Sequence, residues 1–192
     1  KFSGHGGSSA VSAMDATAAG NIYDTFDAQV TAADGVTAAE TNAAAGNAAM
    51  LTSPGGNNSI FYTLPTMVDG LAVTASYNPQ GTASGSSQAY AATYTGVEGL
   101  SVSYGAGSDD SGIATTNADV QSMKISYALG SFTVAYSDHE YDSVTATRDQ
   151  ETTSFSLAYT VSDAISVTYG EETMDSGEGA IDAEYSKISA SY

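Results

Sequence analysis

Gly70-Leu71-Ala72-Val73-Thr74-Ala75-Ser76-Tyr77 is the stretch on which the fold turns. Leu71, Val73, Ala75 and Tyr77 fall on one side of an extended chain, and Ala72, Thr74 and Ser76 on the other. The spacing predicts a strand with an aliphatic face that ends in Tyr and an opposite face of small residues. The unit recurs: Gly99-Leu100-x-Val102 leads to Tyr104, Gly130-x-Phe132-x-Val134 to Tyr136, and Ala164-Ile165-x-Val167 to Tyr169. Its period is about 30 residues, which suits two strands with their connections.

Between these units lie return runs of the same alternation. Tyr90, Ala92 and Tyr94 form one, Met123, Ile125 and Tyr127 another. Phe155, Leu157, Tyr159 and Val161 form a third, and Ile188, Ala190 and Tyr192 the last. With Ile60, Tyr62 and Leu64, the pattern predicts about nine strands in residues 57–192. The connections alternate in length. Short turns fall at Met67-Val68-Asp69-Gly70, Gly96-Val97-Glu98-Gly99, Leu129-Gly130 and Ser162-Asp163. Long polar loops are expected near 79–87, 106–119, 138–150 and 172–181. One end of the sheet then carries tight hairpins and the other long loops. That segregation is the habit of an outer-membrane barrel.

The tyrosines sort by strand direction. Tyr77, Tyr104, Tyr136 and Tyr169 lie toward the long loops, and Tyr94, Tyr127, Tyr159 and Tyr192 toward the short turns. Two aromatic girdles at the margins of an apolar band are expected from this, because amphipathic rings favour a membrane–water interface.

The composition agrees with a thin apolar face. The 192 residues include 22 Asp and Glu against four Lys and Arg, a formal net charge of -18. So acidic a chain lacks the basic footprint that nucleic acid demands. No Cys is present, which excludes a disulfide framework and thiolate metal sites. No apolar run approaches the roughly 18 residues of a membrane-spanning helix. Residues 4–56 show no strand alternation and are rich in Ala, Gly, Ser, Thr and Asn. They read as one long loop with a helical turn or two near Val11, Met14, Ile22 and Phe26, and loops of such length are usually functional or disordered. Lys1-Phe2-Ser3 reads as the tail of a preceding strand, and Tyr192 stops where a short turn is due. Further strands are expected at both ends, since lipid does not tolerate unpaired edges.

Asn57-Asn58-Ser59-Ile60-Phe61-Tyr62-Thr63-Leu64-Pro65, followed by Gly70-Leu71-x-Val73-x-Ala75-x-Tyr77, resembles the general porins of Gram-negative bacteria. In that family a segment N-S-I-x-Y-x-x-P follows the long loop that folds into the channel. Asp15-x-x-x-x-Gly20-x-Ile22-Tyr23-Asp24 is placed like that constriction loop. The resemblance implies one all-β domain over residues 1–192, an antiparallel up-and-down transmembrane barrel of about 16 strands in the full protein. It implies a homotrimer in the outer membrane that passes small hydrophilic solutes and ions, with lipid as its surroundings and no cofactor. The chain would run from the end of the fifth strand through the fourteenth.

By the same resemblance, Asp15, Asp24, Asp27, Asp34 and Glu40 are the acids of the inward loop 4–56. Carboxylates at a narrow bore raise local cation concentration and repel anions, so cation preference is expected. The family's basic wall is thin here. Lys124 and Lys187 alone share the small-residue parity of the strands, where each could tune selectivity or pair with a nearby carboxylate such as Glu184. Arg148 falls in a long loop.

Other motifs carry less. Asp138-His139-Glu140 offers one imidazole between carboxylates, too few ligands for a specific metal site, and reads as a surface loop. His5 sits in Gly4-His5-Gly6-Gly7-Ser8-Ser9, which lacks a P-loop Lys. Ser108-Asp109-Asp110-Ser111-Gly112 lacks the spacing and bidentate Glu of a calcium loop. No nucleophile elbow points to an enzyme. The alternative to a channel is a secreted acidic β-rich surface or adhesin module. Phage or other surface binders could use the long loops.

Overall fold

The computed structural model describes residues 2–3, 9–11, 16–22, 59–79, 85–109, 117–144, 149–176 and 183–192. A two-residue strand, β1 (Phe2–Ser3), precedes nine longer ones. These are β2 (Ser59–Thr63), β3 (Leu71–Asn78), β4 (Ser87–Tyr94), β5 (Leu100–Asp109) and β6 (Ala118–Leu129). β7 (Phe132–Ser143), β8 (Gln150–Ser162), β9 (Ile165–Ser176) and β10 (Ala183–Ser191) complete the set. All ten form one antiparallel sheet in chain order, an up-and-down meander.

The short turns are specified locally. Leu71 N donates to Val68 O at 3.1 Å and Leu100 N to Val97 O at 3.0 Å. Each turn holds Gly in its third place, Gly70 at φ +76° and Gly99 at φ +75°. That left-handed conformation strains most residues that carry a Cβ. A Cβ on Gly99 would also lie 2.4 Å from Ala128 O. The turns are stitched sideways, for Thr95 N donates to Gly70 O and Ala128 N to Gly99 O.

The strands outrun the expected loop boundaries at the long-loop end. β5 reaches Asp109, β7 reaches Ser143 and β9 reaches Ser176. The apolar alternation stops near the last Tyr, but backbone pairing does not need apolar side chains. Past that point the alternation continues with carboxylates. Asp119 stands opposite Asp142, Glu140 opposite Glu151, and Glu151 opposite Asp175.

The sheet is inside out by the standard of a water-soluble domain. Its aliphatic and Tyr face is open: Ile125, Val134, Phe155, Leu157 and Val167 are all exposed. The small polar face is covered. Ser122, Ser137, Thr152, Ser154 and Glu172 are buried there, and residues 9–11 and 16–22 lie against it. Among the described residues, an apolar cluster on that side joins Ala10, Val11 and Ala89 with Phe61.

Candidate functional site

The covered face is built from hydroxyls because period two puts Ser and Thr there strand after strand. They pair across strands, Ser137 with Ser154 at 2.8 Å and Thr93 with Ser103 at 3.0 Å. Small residues also leave room for a second layer of chain. The loop enters over β3, where Ala10 N donates to Ser76 Oγ at 2.9 Å. It reaches β6–β9 at residues 16–22.

There it is latched by polar contacts. Ala18 N donates to Ser137 Oγ at 2.8 Å and Ala19 N to Ser154 Oγ at 3.3 Å. Lys124 Nζ donates to Ala16 O at 3.0 Å and Thr17 O at 3.3 Å. Thr17 is the hub. Its N donates to Asn21 Oδ1 and its Oγ1 accepts from Asn21 N, both at 2.7 Å. Its hydroxyl donates to Glu172 Oε1. The bend this requires is made by Gly20 at φ +81° and Asn21 at φ +55°, residue types that tolerate the left-handed region. Gly170 opens the wall for it: a Cβ there would stand 3.1 Å from the Cβ of Ala19.

Glu172 is fully buried. A carboxylate so placed costs heavily unless hydrogen-bonded. The Thr17 hydroxyl supplies one such bond, and Lys124 brings a positive charge to the same latch. The polar contacts hold residues 16–22 against the wall.

Asp15, Asp24, Asp27, Asp34 and Glu40 lie outside the described residues, as do His5 and Arg148. Lys187 is half-buried on the covered face opposite Gly170, while Glu184 stands on the open face, so those two do not share a side. His139 is not on a surface loop. It lies within β7, buried on the covered face between Ser122 and Thr152. Asp138 and Glu140 point to the other side of the strand, so the three cannot converge on one ion. Tyr77, Tyr104, Tyr136 and Tyr169 stand on the open face toward the long loops, and Tyr94, Tyr127, Tyr159 and Tyr192 toward the turns. The Tyr169 hydroxyl donates to Glu171 at 2.9 Å, toward the carboxylates beyond it.

Thr17, Ser137, Ser154 and Glu172 were not singled out by sequence reasoning. The signal for Glu172 was present: it shares the parity of Thr168 and Gly170. Extending the alternation three residues past Tyr169 finds it.

A family model described as Gram-negative porin matches residues 7–192. The chain belongs to the Gram-negative porins. Solved porins share its fold. OmpF of Salmonella typhi, in complex with daunomycin, gives a TM-score of 0.60 at 14% identity over 71% of this chain and 50% of that one. An anion-selective porin from Comamonas acidovorans gives 0.52 at 18% identity, over 70% and 43%. This porin therefore spans about half the length of the solved chains it matches. Among curated protein sequences none matches it. Membership places the porin in the Gram-negative outer membrane, which accounts for the open apolar face.

Proposed function

We propose that the protein forms a passive, cation-preferring aqueous channel for small hydrophilic solutes. It works as a homotrimer of barrels of about 16 strands, with this chain supplying the long loop and the wall beneath it. The observation that carries the reading is the segment at residues 16–22, latched to a hydroxyl-lined face while the opposite face stays open and apolar. A wall of Ser, Thr and Ala stays wet, and a loop standing off it sets the exclusion size. The two rings of Tyr act as interfacial girdles, with the long loops outside the cell.

The electrostatic part rests on charge. Against 22 carboxylates the chain sets four Lys and Arg, and Lys124 is engaged by the carbonyls of Ala16 and Thr17. Asp15, Asp24, Asp27, Asp34 and Glu40 on the loop would raise the local cation concentration. Neither a cofactor nor a catalytic step is invoked. The test is single-channel recording of the full-length protein in a planar bilayer under a KCl gradient. Stepwise ohmic conductance with a cation-sided reversal potential is expected. Conductance with anion preference, as the name of the Comamonas porin states for that protein, would remove the acidic filter and keep the channel. No insertion by folded protein would remove the channel.

A further inference from the structure

His139 is a buried titratable group that takes no part in the latch bonds. It stands on the covered face of β7, with Ser122 of β6 and Thr152 of β8 in register on either side, and all three are buried. Among the described residues neither ring nitrogen has a hydrogen-bond partner, and neither do Ser122 Oγ and Thr152 Oγ1. The next row of the same wall differs. There Ser137 and Ser154 accept from the amides of Ala18 and Ala19, and Lys124 donates to the carbonyls of Ala16 and Thr17. One row is paired to the loop, and the row beside it is buried without partners. Buried polar atoms are seldom left so, and a cluster of them calls for a role.

Lys124 joins the two rows. It is in register with Ser137, two residues along β7 from His139, which makes it the diagonal neighbour of the imidazole. Diagonal neighbours on one face lie within reach of long side chains. The other described groups around His139 offer no carboxylate at that range. Gln150, Thr152 and Ser154 of β8 do not titrate, nor does any residue of 16–22. On β7 itself Ser137 and Tyr141 share the face. Glu172 lies two strands away in the latch row, bonded to the Thr17 hydroxyl.

Imidazole is the side chain whose charge ordinarily changes between about pH 5 and 8. By His139 the strand has left the apolar band, since its flanking residues on the open face are Asp138 and Glu140. Burial, and then the charge of Lys124, push its pKa down from 6.5 to about 4. The latched state resists a proton that a wetted imidazole accepts. Between pH 6.5 and about 4 the released state therefore binds more protons, so the latch is at full strength above pH 6.5 and weakens as pH falls toward 4.

We propose that His139 is an acid release for the loop. Uncharged, it leaves Lys124 to hold Ala16 and Thr17. Charged, it repels Lys124 from those carbonyls, and residues 16–22 leave the wall. Water entering the vacated row then solvates the ring and the hydroxyls of Ser122 and Thr152. His139 acts through Lys124 and is a positioning residue. The release belongs to the latch itself, and only its effect on current rests on the channel reading.

The test is hydrogen exchange of the full-length protein in detergent micelles, from about pH 7.5 down to about 4.5. It is read as protection factors at the amides of Ala18 and Ala19, which removes the intrinsic pH dependence of exchange. Protection is expected to hold steady down to about pH 6.5 and then fall by up to ~10-fold per pH unit, the slope of a single proton taken up. The amide of Val134, within the sheet, should not follow. His139→Gln cannot take the proton and should keep Ala18 and Ala19 protected across the range. A fall of the same size in His139→Gln would assign the effect to carboxylates and overturn the proposal. Lys124→Met should lower protection at every pH and flatten the profile, and a full slope in that variant would overturn the proposal as well. Should His139→Gln fail to fold, His139→Phe keeps a ring without nitrogens, and acid release that survives in it overturns the proposal on its own. Planar-bilayer recording over the same range separates this from the channel reading. Current that stays quiet while protection falls would sink the loop as the setter of the bore and leave the release standing. Protection that ignores pH in a conducting channel would sink the release alone.

Discussion

The two faces of one sheet obey opposite rules. On the open face large side chains stand exposed: Leu157 is 38% exposed and Val134 42%. On the covered face Ser137 and Glu172 are 0% exposed. In water this would be an unstable arrangement, because apolar area is worth about 25 cal/mol per Å² only when removed from solvent. In lipid the open face is already solvated by hydrocarbon. The sequence is therefore free to spend its small hydroxyls on the other side, where a second layer of chain must approach closely. The difference teaches that burial, taken alone, does not locate the core of such a protein. The solvent on each side decides what burial means.

A charge placed on each face breaks the symmetry most strongly. Leu157 and Ala158 are neighbours in β8 and face opposite ways. Leu157→Arg sets a guanidinium in the apolar band and is expected to cost ~2–4 kcal/mol if it lies near the bilayer midplane. Ala158→Arg should cost far less and alter conductance instead. Urea titration of folding into phosphatidylcholine vesicles measures the first, and planar-bilayer recording the second. Equal destabilisation by the two variants would show that the faces are not distinguished as argued.

The next effect is on the latch. Gly170→Leu introduces a side chain where Ala19 leaves no room, so residues 16–22 must lift from the wall. Overpacking of this kind costs roughly 1–3 kcal/mol. Glu172→Leu acts from the other side, since it takes the acceptor from the Thr17 hydroxyl, and hydrogen bonds to charged groups are worth about 1.5–3 kcal/mol. Both variants should give noisier channels with a changed unit conductance, and both should still insert. Normal conductance in both would mean that the latch does not set the bore.

Much of the fold was legible because it rests on local periodicity. Gly70-Leu71-x-Val73-x-Ala75-x-Tyr77 announces strand, face and margin together, and its recurrences fix the meander. The Gly in each short turn is readable for the same reason, since a left-handed φ is a demand on one residue. Strand ends were less legible. Beyond Tyr136 the open face changes from aliphatic to Asp138, Glu140 and Asp142, so an apolar criterion stops while the ladder continues. The latch was least legible. Thr17 and Glu172 are 155 positions apart, and nothing at either place announces the other. Lys124 was found by parity, but that it would donate to backbone carbonyls is a fact of the loop's path alone. His139 was misplaced because its flanking carboxylates suggest a loop, when they are the other face of a strand.

The finest comparison removes one hydroxyl from each side. Tyr169 donates to Glu171 on the open face, where both groups are exposed and water or headgroups replace either partner. Thr17 donates to Glu172 and accepts from Asn21 N on the covered face, where bulk water does not stand ready to replace a lost bond. Thr17→Val keeps the shape and deletes both bonds, and a buried group left unsatisfied costs about 1–3 kcal/mol. That cost is paid locally, at the latch, and need not shift the unfolding of the sheet. It should appear as faster hydrogen exchange at the amides of Ala18 and Ala19, by ~10-fold or more if the loss reaches about 1.4 kcal/mol. Tyr169→Phe should leave exchange there and the unfolding midpoint unchanged. If Thr17→Val proves as silent as Tyr169→Phe, the covered face is wet enough to replace a lost partner, and the loop is held by its shape against Gly170 and Ala89 rather than by its hydrogen bonds.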